Sequence, residues 1–341
     1  MKYLVAENYR IDGKTAGSKA RKDVETILKS KGFEHIVLYH SGEGRLKVIH
    51  NFWGALFSIM KKVKRGDICF FEHPYLPSIY STLLGKFAKI LMKKNKVITV
   101  LLIHDLNSVR LNRLSLKKEI KQLNNYRYVI VHNSQMLSFL QENGCCSKLL
   151  NLEVFDYLVE HREKQKEECN DIAIAGNLCK EKSGYIYSLG EISGLSFGLY
   201  GVGLDTKNIA NNLVYHGVFE PDVLPFVING RWGLVWDGDS IHTCEGLCGE
   251  YLRLNNPHKL SLYLAAGIPV IVWSNSAAAL FVEENNVGIW VENLSELEDA
   301  IERVTPKMYA ILCENVLKIG KKITSGNYLK SKLEIITKVI V

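Results

Sequence analysis

The apolar positions of this chain fall into short runs that alternate with segments of helical spacing. Tyr3 to Ala6, His35 to Tyr39, Ile68 to Phe71, Val97 to Ile103 and Tyr128 to Val131 are strand-length and largely apolar, the pattern of strands buried on both faces. Between them the period becomes helical. Ala20, Val24, Ile27 and Leu28 make one stripe, stopped at Lys31-Gly32. Ile49, Phe52, Trp53, Leu56, Ile59, Met60 and Val63 make another over about 46–63, read as core. A dense charge run, Glu160 to Asn170, then interrupts the alternation and reads as an exposed connection. Beyond it, strands are predicted at Ile172 to Ala175, Phe197 to Tyr200, Leu213 to Tyr215, Gly233 to Trp236, Ile268 to Val272 and Gly288 to Val291, with helices at Ser276 to Asn285 and Ser295 to Val304. Strand–helix alternation of this kind implies parallel sheets. The expected fold class is therefore α/β, two Rossmann-like domains facing a cleft, over residues 1–158 and 171–304. Helices in 305–341 are expected to cross back to the first domain. Ligands in such folds sit at the carboxyl ends of the strands.

The most informative stretch is Asn255 to Ile271, where a cap, a helix and a buried strand follow one another without slack. Asn256 is expected to cap a helix that Pro257 opens at its first position. Leu260, Leu262, Tyr263, Leu264 and Ala265 cover most faces of that helix, which implies burial, and Gly267 ends it. Its first amides, with His258 and Lys259 beside them, suit a phosphate or pyrophosphate group. An ordinary capped helix with a solvated lysine is the plainer alternative.

Length, composition and charge narrow the setting. At 341 residues the chain has room for two domains. Its 47% hydrophobic and 23% charged residues, with a mean hydropathy of -0.01, are those of a globular protein. A net charge of +7, spread along the chain, favours an anionic small ligand or a membrane surface over nucleic acid. No segment has the length of a bilayer span, and Met1 to Arg10 lacks the apolar region of a signal peptide, so a cytoplasmic protein is expected, at most at the inner face of the membrane. The eight cysteines have no framework spacing and are expected as reduced, mostly buried thiols.

Several short motifs carry less than they promise. Gly194-Leu195-Ser196-Phe197-Gly198 has the hydrolase pattern, but its apolar run follows the serine where a nucleophile needs the strand first. Neither half has G-x-G-x-x-G between its first strand and helix, which disfavours a nicotinamide or flavin cofactor. Asp237-Gly238-Asp239 reads as a tight turn, with Asp237 kept as a candidate because it ends a strand. His242, Cys244 and Cys248 lack the second ligand pair that zinc needs.

Three sets of residues remain. His104-Asp105 and Glu72-His73 stand directly after buried strands, where a general base would be placed. Gly176 to Lys180, a turn after the second domain's first strand, has Asn177 and Lys180 positioned for the far side of a diphosphate. The loop from Asn8 to Ser18, with Thr15 and Gly17, leads to a helix with Lys19, Arg21 and Lys22 and suits a polar acceptor or a phosphate, a flexible surface loop being the alternative.

On these residues the chain resembles nucleotide-sugar glycosyltransferases of the GT-B architecture. More narrowly, AGNLCK, YHGVF, GLVWDGDS and NNPHKLSLYLAAGIPVIVW, with LVAENYRIDGKTAGSKARKD and LLIHDLNSVR, resemble the bacterial glucosyltransferase 3 family, which extends glycans on serine-rich adhesins, and related β-1,6-galactofuranosyltransferases. The resemblance covers nearly the whole chain. It implies that Lys180, Tyr215, Asn256, Pro257 and Lys259 bind UDP, that Thr15 lies on the acceptor side, and that no metal is used.

One departure separates the chain from the commonest retaining pattern, which has two glutamates eight positions apart. Leu254 and Leu262 stand there instead. That leans towards inversion, with Asp105 as first choice of base and His104 and His73 behind it. The expectation is a hexosyltransferase that moves a hexose, glucose first and galactofuranose as the alternative, from a UDP-sugar to a glycan on a protein or lipid carrier. Donor contacts are expected from Asn177, Lys180, Tyr215, Asp237, Asn256, Pro257, His258 and Lys259, and acceptor contacts from Thr15, Gly17 and Lys19. A cofactor and a nucleic-acid partner are not expected; a homo-oligomer is, and a peripheral membrane contact is compatible. A non-catalytic partner of a transferase is the rival of another class.

Overall fold

The computed structural model describes residues 1–8, 16–40, 44–75, 78–112, 114–159 and 170–338. Thr15 and residues 160–169 of the expected linker lie outside them. The chain divides into two compact units. The first comprises Met1–Gly13, Arg21–Leu152 and Leu329–Val341, and the second Lys14–Ala20 and Glu153–Tyr328.

The first unit's sheet is built from β1 (Lys2–Asn8), β2 (Glu34–His40), β3 (Ile68–His73), β4 (Ile98–Ile103), β5 (Tyr128–Val131) and β6 (Lys148–Asn151). All pair in parallel, in the order β2-β1-β3-β4-β5-β6. Every residue of β3, β4 and β5 is buried, as continuous apolar runs require. The connections carry α1 (Ala16–Ser30), α2 (Arg45–Lys62), α3 (Ser78–Ile90) continued by a π turn at Leu91–Asn95, α4 (Asn107–Arg110), α5 (Leu116–Leu123) and α6 (Ser134–Glu142). On α1 the inner stripe of Ala20, Val24, Ile27 and Leu28 is buried as expected. The stripe on α2 divides: Phe52, Leu56, Ile59 and Val63 are core, whereas Ile49 and Trp53 are exposed. Seven apolar positions span a wider arc than the sheet can cover.

The second unit repeats the plan with β7 (Asn170–Asn177), β8 (Phe197–Val202), β9 (Leu213–Gly217), β10 (Gly230–Val235), β11 (Val270–Trp273) and β12 (Gly288–Val291). They too are all parallel, in the order β12-β11-β10-β7-β8-β9. Its helices are α7 (Lys180–Ser183), α8 (Leu224–Val227), α9 (Gly246–Tyr251), α10 (His258–Ala265), α11 (Ala277–Asn285), α12 (Leu297–Glu302) and α13 (Pro306–Thr324), and the chain ends in α14 (Asn327–Lys338). The core gathers Trp232, Trp236, Trp273, Tyr185 and Phe197, all but fully buried. α13 stays with this unit, and only from Leu329 onward is the chain part of the first. Its Gly320 lies so close to α10 that a methyl group there would stand 2.6 Å from the Leu264 carbonyl oxygen.

Among the described residues no helix is long and apolar enough to cross a membrane. The seven described cysteines are free thiols, of which Cys69, Cys145 and Cys244 are buried, fewer than expected.

Candidate functional site

Helix α10 sets the geometry of the second unit's carboxyl edge. Tyr263 and Lys259, four residues apart, project from one face towards the sheet. The Tyr263 hydroxyl donates to the Leu234 carbonyl at 3.2 Å and accepts the Ala175 amide at 2.8 Å, so it ties β10 to β7. Its ring lies over Gly233, where a methyl group would stand 2.3 Å from the ring. One turn earlier, Lys259 reaches the end of β10. Its ammonium donates to the Trp236 carbonyl and to Asp237 Oδ1, each at 2.8 Å. Burial pushes the Lys259 pKa down, against the pull of Asp237. Lys182, on α7, approaches Asp237 Oδ2 at 3.7 Å.

This changes the reading of the helix start in three respects. Pro257 is the cap residue and not the first helical one, with extended backbone at φ -70° and ψ 144°. Asn256 does not cap; its Nδ2 donates to the Glu153 carbonyl at 2.6 Å. The Lys259 ammonium is not loose, since two of its three hydrogens are placed by the end of β10. His258 stacks on Phe155, ring centroids 4.8 Å apart, and Ser261 Oγ donates to the Phe155 carbonyl at 2.7 Å, so residues 153–155 are fastened along the helix.

Glycine shapes the rest of this edge. Gly176 and Gly201 face each other in register at the ends of β7 and β8, with φ +125° and +152°. A methyl group on Gly201 would stand 1.8 Å from the Gly176 carbonyl oxygen. Asn177 Oδ1 accepts the Cys179 amide at 3.1 Å, making the turn that presents Lys180, which is exposed. Tyr215, on β9, donates its hydroxyl to the Gly201 carbonyl at 2.9 Å. Gly238 has φ +117° and its amide donates to the Lys182 carbonyl at 2.8 Å, so the chain bends at Gly238 and Asp239 against α7. Ser196 of the hydrolase-like pattern bonds Asp171 Oδ2 at 2.7 Å, just before β8 begins, far from a nucleophile's turn.

The first unit's carboxyl edge is polar in another manner. His73 Nε2 meets Glu119 Oε1 at 2.8 Å, and Glu119 also accepts the amides of Asn107 and Ser108 at 2.9 and 2.8 Å, so it holds the start of α4. Burial raises the Glu119 pKa, but these bonds outweigh it and the net shift is downward. His104 Nε2 meets Glu72 Oε1 at 2.8 Å, and Arg21 approaches Glu72 Oε2 at 3.6 Å. Burial pushes the His104 pKa well down, with Arg21 and His73 adding to it, and pushes Glu72 up to about 6 against Arg21. Asp105 forms an ion pair with Arg110.

Of the acceptor-side residues, Gly17 is helical and exposed, where a loop was expected. Lys19 is buried: its ammonium bonds the Leu158 carbonyl and Asp222 Oδ1 at 2.7 Å, and lies 4.9 Å from the centre of the Tyr157 ring. Sequence reasoning missed Lys182 and Glu119.

Two family models cover the chain: "Glucosyltransferase 3-like, N-terminal domain" over residues 2–154 and "Glucosyltransferase 3-like, C-terminal domain" over 172–336. The chain is 32% identical to the β-1,6-galactofuranosyltransferase WbbI of Escherichia coli K12, over 94% of this chain and 93% of that one. It is 26% identical to glucosyltransferase 3 of Streptococcus gordonii, over 98% and 97%. Among solved structures, Anabaena Alr3699/HepE in complex with UDP shares its fold with a TM-score of 0.59 at 11% identity, over 99% of each chain. The fold is that of the GT-B glycosyltransferases, and the chain belongs to the glucosyltransferase 3-like family of glycosyltransferases.

Proposed function

We propose that this protein moves a hexose from a UDP-sugar to a growing cell-surface glycan, with the donor held at the carboxyl edge of the second unit. The carrying observation is Lys259. It is buried at the end of β10 with its ammonium oriented by two bonds, and its third hydrogen is left to donate. With Lys182 beside Asp237 and Lys180 on the same turn, two lysines answer one carboxylate and a third is exposed. The surplus positive charge, with the first amides of α10, stabilises a leaving diphosphate as its charge develops, in place of a divalent cation. The glycine-lined ends of β7 and β8 let backbone come close to the donor. Asn177 and Tyr215 serve by shaping that backbone, and Asn256, Pro257 and His258 by fixing the start of α10.

The displacement is read as inverting. The acceptor oxygen attacks the anomeric carbon, UDP leaves with the bonding pair, and a base takes the hydroxyl proton. Of the three candidates we choose Asp105, which is partly exposed and paired with Arg110, whereas His73 is buried against Glu119.

Two donors have support. Glucose is favoured by the relative from Streptococcus gordonii, and galactofuranose by the higher identity to the Escherichia coli galactofuranosyltransferase. Calorimetry should show UDP binding in the presence of a chelator. Turnover of UDP-glucose, UDP-galactose and UDP-galactofuranose, measured as UDP release, then identifies the sugar. Absence of UDP affinity in the folded protein overturns the reading.

A further inference from the structure

Helix α2 carries a second apolar stripe that the first unit does not cover. Leu46, Ile49, Trp53 and Phe57 are 86%, 47%, 54% and 63% exposed. Their spacing of three, four and four residues places all four on one helical face, beside the buried stripe of Phe52, Leu56, Ile59 and Val63. Large apolar side chains in a contiguous exposed row mark an interaction surface.

The charges around this row say what it meets. From Arg45 to Gly66 the sequence has Arg45, Lys47, Lys61, Lys62, Lys64 and Arg65, and no Asp or Glu. Lys61 continues the exposed face, its ammonium 4.3 Å from the centre of the Phe57 ring. Lys62 is engaged by Glu34 at 2.8 Å, while Lys61, Lys64 and Arg65 are exposed. A second basic group joins them from the π turn. The Gly66 amide bonds the Lys96 carbonyl at 3.3 Å, so exposed Lys93, Lys94 and Lys96 reach the same edge of the unit. Among the described residues, Glu34 is held by Lys62, and Asp67 is buried and held by the chain's amino terminus.

We propose that α2 docks this protein on an anionic lipid bilayer, with Leu46, Ile49, Trp53 and Phe57 entering the boundary between headgroups and acyl chains. Lys61, Lys64, Arg65, Lys93 and Lys94 meet the lipid phosphates. The apolar row supplies burial and the basic groups supply attraction to negative charge, the two contributions such helices combine. A second copy of the chain fits less well. Two parallel α2 helices would set Lys61 against Lys61 and Lys64 against Lys64, with no Asp or Glu between Arg45 and Gly66 to offset them. The inference does not rest on the donor site.

Sedimentation of the full chain with vesicles tests it. Binding is expected to vesicles of phosphatidylethanolamine and phosphatidylglycerol, weakening as salt rises, and to be at least about tenfold poorer to phosphatidylcholine alone. Trp53→Ser with Phe57→Ser should lower the binding by about tenfold or more, and so should Lys61→Glu with Lys64→Glu and Arg65→Glu, each with an unchanged melting temperature because the side chains are exposed. The charge variant keeps the test decisive if the first fails to fold. The proposal is overturned if the wild type ignores anionic vesicles, if both variants bind as it does, or if the Trp53 and Phe57 changes only turn an oligomer into monomers in analytical ultracentrifugation.

Discussion

The carboxyl edges of the two sheets both collect polar residues, and they use them differently. On the first, histidines and carboxylates answer one another inside the unit: His73 with Glu119, His104 with Glu72, Glu72 with Arg21, and Glu119 with the amides of α4. The second edge has fewer side chains and more bare backbone, with Gly176, Gly201 and Gly238 at its turns and one buried ion pair, Lys259 with Asp237. The contrast teaches that a polar residue at a strand's end is weak evidence of a ligand until its hydrogen bonds are accounted for. Buried polar groups find partners in any stable fold, and those partners are often what they are for.

Breaking the second edge at Lys259 should have the largest effect. Lys259→Ala leaves Asp237 buried, with Lys182 at 3.7 Å as the cation beside it. Removing one member of a buried pair costs about 3–5 kcal/mol, which a urea titration reads directly. UDP affinity should be lost in the same variant. To separate folding from binding, Asp237→Leu with Lys259→Met replaces the pair by apolar groups of similar volume, which restores much of the stability. UDP affinity should stay lost in that double variant. If it returns, Lys259 is a structural residue only.

The glycine ends come next. Gly201→Ala puts a methyl group 1.8 Å from the Gly176 carbonyl oxygen at a φ of +152° that side chains avoid. Separating β7 from β8 should cost about 3 kcal/mol and weaken UDP binding. Gly217→Ala is the control, because its φ is +95° but nothing lies within 4 Å of the added carbon. It should cost about 1 kcal/mol, the conformational part alone. Equal losses at the two positions would mean that close approach of the strands is not what Gly201 provides.

The same contrast explains what was legible in the sequence. Both parallel sheets follow from alternating periods, and most strands extend their expected runs by a few residues. β6 was missed because Lys148–Asn151 is short, half-exposed and at an edge, with no continuous apolar run to announce it. The residues of the second edge were singled out one by one, as turn and cap chemistry, because glycines and a proline-led helix leave local marks. Their pairing was not legible: Lys259 meets Asp237 across 22 positions only because Tyr263 seats α10 on β7 and β10. Glu119 is 46 positions from His73, and nothing local joins them. The exposed half of the α2 stripe was read as core because periodicity shows which positions share a face but not how wide a face the neighbours cover.

The smallest expected effect tests whether the first edge is closed, through the titration of Glu72. Its carboxyl is buried between His104 and Arg21 with its pKa pushed up to about 6, from an ordinary 4.5. Between those two values the folded state holds more protons than the unfolded one. The contribution of Glu72 to stability is therefore full below pH 4.5 and is lost as the pH rises through about 6. The loss is about 2 kcal/mol. Glu72→Gln removes it while keeping an oxygen that can accept from His104. The attraction of Arg21 acts only on the ionised carboxyl and is already contained in the shifted pKa, so Glu72→Gln removes it together with the burial penalty. Urea unfolding of both proteins from about pH 4 to about pH 7 should show the wild type losing about 2 kcal/mol relative to the variant, with most of the change between pH 4.5 and about 6. Parallel curves would mean that Glu72 is solvated, and then the first edge is as open to a ligand as the second.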